Sequence, residues 1–210
     1  MAYLKEHCQK LRSFYQGNFS YFLRITTVAF LALAVGAYIV GIIKPAIAER
    51  TVELFVQQAS NSGVISDEGS ITATGLFINN LRVTTIGIVY GLLPMVYLPA
   101  LVLGVNASMI GLVGAYYTNG GASLWLYLLS IVPHGIFELP ALVISLAMAL
   151  YLCRLTTQRL KSKSSKQPKT PLKPALFDCL RVLIMQIVPL LLIAAVVEAY
   201  ITPQLINLFH

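Results

Sequence analysis

Long uncharged apolar runs alternate with short polar or basic stretches along the chain, and this pattern predicts membrane-crossing helices. Residues 25–43 (ITTVAFLALAVGAYIVGII) carry no charge and match the roughly 20 residues a helix needs to cross hydrocarbon. Residues 71–118 are apolar except for Asn79, Asn80, Arg82 and Asn106, and are more than twice as long as one crossing. They predict two spans, 75–93 and 96–117, broken at Pro94 and Pro99, because proline lacks an amide donor and disfavours helix in the residue before it. The run 123–153 follows the turn signal Thr118-Asn119-Gly120-Gly121 and contains Pro133 and Pro140. It predicts a fourth span over 125–152, either one tilted, kinked crossing or a half-helix that re-enters before crossing. A fifth span is predicted at 182–201.

The polar stretches give the order of the rest. Residues 1–24 form a basic amphipathic segment expected to lie on the inner leaflet, followed by an uncleaved anchor. Residues 44–70 mix both charge signs and predict an external segment with a short helix over 46–58. Residues 154–181 hold eight basic side chains against Asp178 alone, with KSKSSKQPKTP reading as a flexible linker and the last helix starting near Phe177. Residues 204–210 are a tail. Basic loops stay inside, so the amino terminus and the 154–181 loop are expected in the cytoplasm and the carboxyl terminus outside. Arg82 is the exception, placed near mid-span, where it must snorkel or find a partner.

Composition agrees. Of 210 residues, 57% are hydrophobic and 11% charged, against about a quarter charged in soluble domains. The fold class is an all-α polytopic membrane helix bundle in one domain, 25–203. A net charge of +7 raises nucleic acid as a partner, but the basic residues sit in short flanks with no folded reader or stacking pattern, and that role is excluded. The lipid bilayer is the expected partner of the basic flanks, and small-residue faces at Gly87 and Gly91, and at Gly104, Gly111 and Gly114, suit close helix packing or homodimer formation. Tyr116, Tyr117, Trp125 and Tyr127 fit an interfacial belt.

Buried acids cost about 3 kcal/mol each on insertion scales, so those that persist face the interior. Glu138 and Glu198 are the acids within predicted spans. His134 and Glu138, four apart, share a helix face. At about 1.5 Å per residue, these three, with Asn79, Asn80 and Asn106, can meet in the outer half of the bundle. The first reading of this set is a structural hydrogen-bond network in which His134 donates to Glu138 or Glu198 and the amides complete it. The alternatives are a site for a small ligand or a divalent metal such as zinc on His134, Glu138 and Glu198, or a metal-dependent intramembrane hydrolase. Nothing in the sequence offers an activated nucleophile, which weighs against an enzyme.

Three motifs then coincide in order: FINN at 77–80, PHGIFELPA at 133–141 and VEAYITP at 197–203. Together they resemble the stage II sporulation protein M family of bacterial membrane proteins, over residues 25–203. In GVNASMIG, Ala107 stands where the family has glycine. The resemblance implies a five-span plasma-membrane scaffold subunit that works with a peptidoglycan-degrading enzyme and a second membrane protein in septal wall remodelling and engulfment.

Overall fold

The computed structural model describes residues 2–61, 72–164 and 171–208, and no strand occurs among them. Helix α1 spans Ala2–Gln16 and α2 spans Phe19–Ile43. Lys44 leaves helical geometry (φ −129°, ψ 78°) because it precedes a proline, and α3 restarts at once over Pro45–Asn61. Helix α4 follows at Ala73–Tyr90, capped by the Thr72 hydroxyl accepting from the Gly75 amide, and α5 at Leu98–Asn119. Next come α6 (Leu124–Ser164) and α7 (Leu172–Val182), which continues through a π turn (Leu183–Ile187) into α8 (Val188–Val196), a second π turn (Val197–Ile201) and α9 (Thr202–Leu208).

Four of the described helical stretches are long and apolar enough to cross a membrane: Phe19–Ile43, Leu98–Asn119, Leu124–Ser162 and Leu172–Leu205. The second expected span, now α4, is shorter and more polar and is not among these four. It nevertheless packs along α6 and α8, and the chain is an all-α polytopic membrane bundle. Arg82 projects from α4 exposed, with no ion pair or hydrogen bond among the described residues. Snorkelling is therefore the course the fold leaves it.

Two expectations change, and one of two open alternatives is removed. The run 123–153 does not re-enter: α6 is one uninterrupted 41-residue helix with Pro133 and Pro140 inside it. At about 1.5 Å per residue, it is roughly twice the hydrocarbon thickness. The basic segment 154–181 is largely helical, since α6 runs to Ser164 and the next helix begins at Leu172, not near Phe177. Pro174 is tolerated there because a first-turn amide has no intrahelical partner. The centre of the expected flexible linker, 165–170, lies outside the described residues, as does 62–71 of the expected external segment. Tyr127 is not a belt residue: it is buried, and its hydroxyl donates to the Ile110 carbonyl at 2.5 Å.

Close approaches fix the helix directions. A Cβ on Gly111 would sit 2.1 Å from the Ala34 carbonyl oxygen and one on Gly41 2.6 Å from Ala115 Cβ, so α2 and α5 run parallel in contact. Gly87 faces Leu146, and Gly91 meets the Ala149 backbone, so α4 runs parallel to α6. The glycines read as packing faces are thus largely used within the chain, with Gly104 open. Leu76 packs with Ala195, and Met148 and Leu152 share a core with Cys179, Val182 and Ile187. Helix α1, the end of α6 and the start of α7 therefore lie at one end of the bundle, called the basic end below, and α9 at the other.

Helix α1 does not rest its apolar face on lipid alone. Leu11 and Phe14 are buried in the main core, and Phe14 stacks on Phe19 with ring centroids 4.5 Å apart. His7, without an evident partner in the sequence, accepts from Arg181 Nε at 2.9 Å, and Arg181 also pairs with Asp178. Tyr15 donates to Gln186 Oε1 at 2.6 Å, and burial pushes its phenol up to about 12, so it remains a donor. Tyr15→Phe strands the Gln186 acceptor and is expected to cost about 1 kcal/mol, read as a lower melting temperature in detergent; an unchanged melt would mean that α1 does not dock this way.

Candidate functional site

Helix α6 carries His134 and Glu138 one turn apart, and their shared face turns toward the last helix. Glu198 sits in the second π turn of that helix. Both π turns stop two residues before a proline, Pro189 and Pro203. A proline offers no amide to the carbonyl four residues back, and the helix shifts locally to the wider pattern: the amides of Val188 and Thr202 bond to Leu183 and Val197, five residues back. The Thr202 hydroxyl also donates to the Val197 carbonyl, at 3.2 Å. Such single-turn widenings recur at functional sites, and Glu198 lies inside the second of them.

The outcome is convergence. One ligand-capable atom from each of His134, Glu138 and Glu198 lies within 4.8 Å of the other two, and all three side chains are half-buried. No hydrogen bond joins them, and none of the three bonds to any described residue. His134 Nδ1 is out of contact with solvent and has no partner. No hydrogen-bond network joins the three among the described residues, and His134 Nδ1 stays unsatisfied inside an apolar bundle, where a buried polar group without a partner ordinarily costs a few kcal/mol.

The asparagines do not complete the set. Asn106 on α5 turns its amide back to the Val102 carbonyl of its own helix at 2.8 Å. Asn79 and Asn80 lie on α4, which packs against α8 and the π turn bearing Glu198, yet neither makes a hydrogen bond among the described residues. They flank the cluster without contacting it through a bond.

Chemically, an imidazole and two carboxylates are the donor set of three-ligand divalent-metal sites, which leave a fourth position for water or substrate. Ligands about 2.1 Å from an ion lie up to roughly 4 Å apart, so small side-chain rotations close the observed spacing onto one ion. Two ionised carboxylates this near each other in a medium of low dielectric repel strongly, and a divalent cation offsets both charges.

Sequence reasoning named all three residues but not the π turn that delivers Glu198, although Pro203 five residues on was its signal. It also missed a second polar region, at the basic end. There the α4–α5 connection holds Met95 and Tyr97 at positive φ (67° and 49°), the Met95 amide donates to Thr157 Oγ1 at 2.8 Å, and Cys153 Sγ donates to the Leu93 carbonyl.

A family model described as stage II sporulation protein M matches residues 25–203. No curated protein and no solved structure matches the chain.

Proposed function

The chain belongs to the stage II sporulation protein M family, and on that footing we propose that it serves as the membrane-embedded scaffold subunit of a peptidoglycan-remodelling machine, with one half of its bundle clamped by a divalent cation. The observation that carries the clamp is the convergence of His134, Glu138 and Glu198 within 4.8 Å with no hydrogen bond satisfying any of them. A cation there bridges α6 to the last helix, in the half of the bundle remote from the basic end. It fixes the two elements whose relative position a bound partner would read. Zinc is the leading candidate because it accepts mixed imidazole and carboxylate ligands in a four-coordinate shell. Family membership supports the scaffold role, and the basic residues of α1, of the end of α6 and of the start of α7 support a cytoplasmic basic end under the positive-inside rule.

The test is metal content of detergent-purified protein, measured for wild type, His134→Ala, Glu138→Gln and Glu198→Gln. Close to one transition metal ion per wild-type chain is expected, falling at least tenfold in each variant. A folded wild type that carries no metal and takes up none would overturn the clamp. The scaffold role is read in cells, where Glu138→Gln is expected to disperse a fluorescently tagged septal peptidoglycan-degrading enzyme; unchanged septal localisation counts against it.

One feature favours a second reading, a metal-dependent intramembrane hydrolase. Three protein ligands leave a coordination position in which a metal-bound water would be acidified enough to act as a nucleophile. The readings separate on the metal-loaded protein, since only the hydrolase predicts turnover of a membrane-embedded substrate by the purified chain.

A further inference from the structure

At the basic end a groove of about 480 Å³ opens between the start of α2, the α4–α5 connection and the last turns of the membrane part of α6. Its walls are mixed in character. Phe22, Ile25 and Leu150 supply apolar surface, and Tyr97, Arg154 and Lys161 supply a phenol and two cations. Leu150 and Arg154 are one turn apart, about 6 Å along the helix, and Arg154 and Lys161, seven apart, share its face. No carboxylate lines the groove. The Arg154 guanidinium lies over the Phe22 ring, 5.7 Å from its centroid, and has no ion-pair partner among the described residues. Its charge is thus held against an aromatic wall with no carboxylate beside it.

The groove is also built at a cost. Tyr97 reaches its rim from a left-handed backbone conformation, φ 49° and ψ 31°, which disfavours a residue other than glycine by about 1–2 kcal/mol. Met95, two residues earlier, shares that strain and is pinned to Thr157 on the opposite wall. A free anion would have no use for the apolar wall, and an apolar partner none for the cations. A molecule with an anionic head and a hydrocarbon tail satisfies both, at the depth where tyrosine and basic side chains mark the membrane interface.

We propose that this groove binds one anionic phospholipid of the leaflet at the basic end, its phosphate at Arg154 and Lys161 and an acyl chain along Phe22, Ile25 and Leu150. The bound lipid would tie α2 to α6 and to the α4–α5 connection.

The experiment is native mass spectrometry of the full chain in detergent, titrated with phosphatidylglycerol or with phosphatidylcholine of the same acyl chains. Wild type is compared with Arg154→Gln/Lys161→Gln and with Arg12→Gln/Lys173→Gln, which removes the same charge outside the groove. Wild type is expected to retain one phosphatidylglycerol in preference to phosphatidylcholine, with affinity about thirtyfold weaker in the groove pair and unchanged in the other pair. Equal weakening in both pairs would overturn the site in favour of diffuse charge attraction. Equal retention of phosphatidylcholine by wild type, or equal competition by water-soluble glycerol phosphate, would overturn it too, and both readouts stand even if the groove variant does not fold.

Discussion

Gly111→Ala is expected to lower the melting temperature of the detergent-solubilised protein by about 5–10 °C, and Gly104→Ala, about two turns earlier on the same helix, to leave it unchanged or raise it. The added Cβ at 111 would lie 2.1 Å from the Ala34 carbonyl oxygen and 2.7 Å from the Tyr38 amide nitrogen. Both are backbone atoms of α2, so no side-chain rotation relieves the clash and the two helices must part along the most extensive contact in the bundle. Overpacking of this kind costs about 1–3 kcal/mol, and each kcal/mol shifts the midpoint of a chain this size by about 2–4 °C. At 104 nothing lies within 4 Å of the new methyl, and alanine in place of glycine in a helix interior gains about 1 kcal/mol. Two glycines on one helix thus give opposite signs. Equal responses would mean that α2 and α5 do not cross at Gly111.

The difference between these glycines was not legible in the sequence. Both read as small residues on an apolar helix, and only the partner's position tells a backbone crossing from a lipid-facing gap. What was legible followed from the solvent: charge and length alone pointed to apolar helices over 25–43, 96–117 and 182–201, where α2, α5 and the last helix run, although α2 starts earlier, at Phe19, and the last helix at Leu172. The prolines were harder. Pro94 and Pro99 do end and restart helices, because a left-handed Met95 and Tyr97 turn the chain between them, whereas Pro133 and Pro140 interrupt nothing in α6. Surrounding helices shield a carbonyl freed within a bundle, and local adjustment can absorb it. Pro189 and Pro203 take a third course, widening the preceding turn.

The same divide runs through the candidate site. His134 and Glu138 belong together by the four-residue spacing, and depth alone brought Glu198 to their level. Their hydrogen bonding was not legible: among the described residues no bond joins the three, and Asn106 bonds to its own helix. Residues singled out for one shared site are in fact a bare triad with neighbours satisfied elsewhere or not at all.

That bareness makes the stability of the protein depend on a cation, with a sign that distinguishes a clamp from a network. In wild type, zinc at about a hundred times its dissociation constant is expected to stabilise the fold by about 2.7 kcal/mol, or roughly 5–10 °C in melting temperature, and a chelator to remove that gain. Glu138→Gln keeps the shape of the side chain but takes away a negative charge and one ligand. With chelator present, at a pH high enough to ionise both carboxylates, it is expected to melt above wild type, because the two carboxylates no longer face each other within 4.8 Å in a medium that strengthens their repulsion. With zinc present it is expected to melt below wild type, because the clamp has lost a ligand. A structural network predicts something else: removing one member would leave its partners unpaired and lower the melting temperature in both conditions. Melting curves of the two proteins, each with zinc and with chelator, decide the matter through the crossing of their order. A variant that melts below wild type in both conditions would return the triad to a structural role.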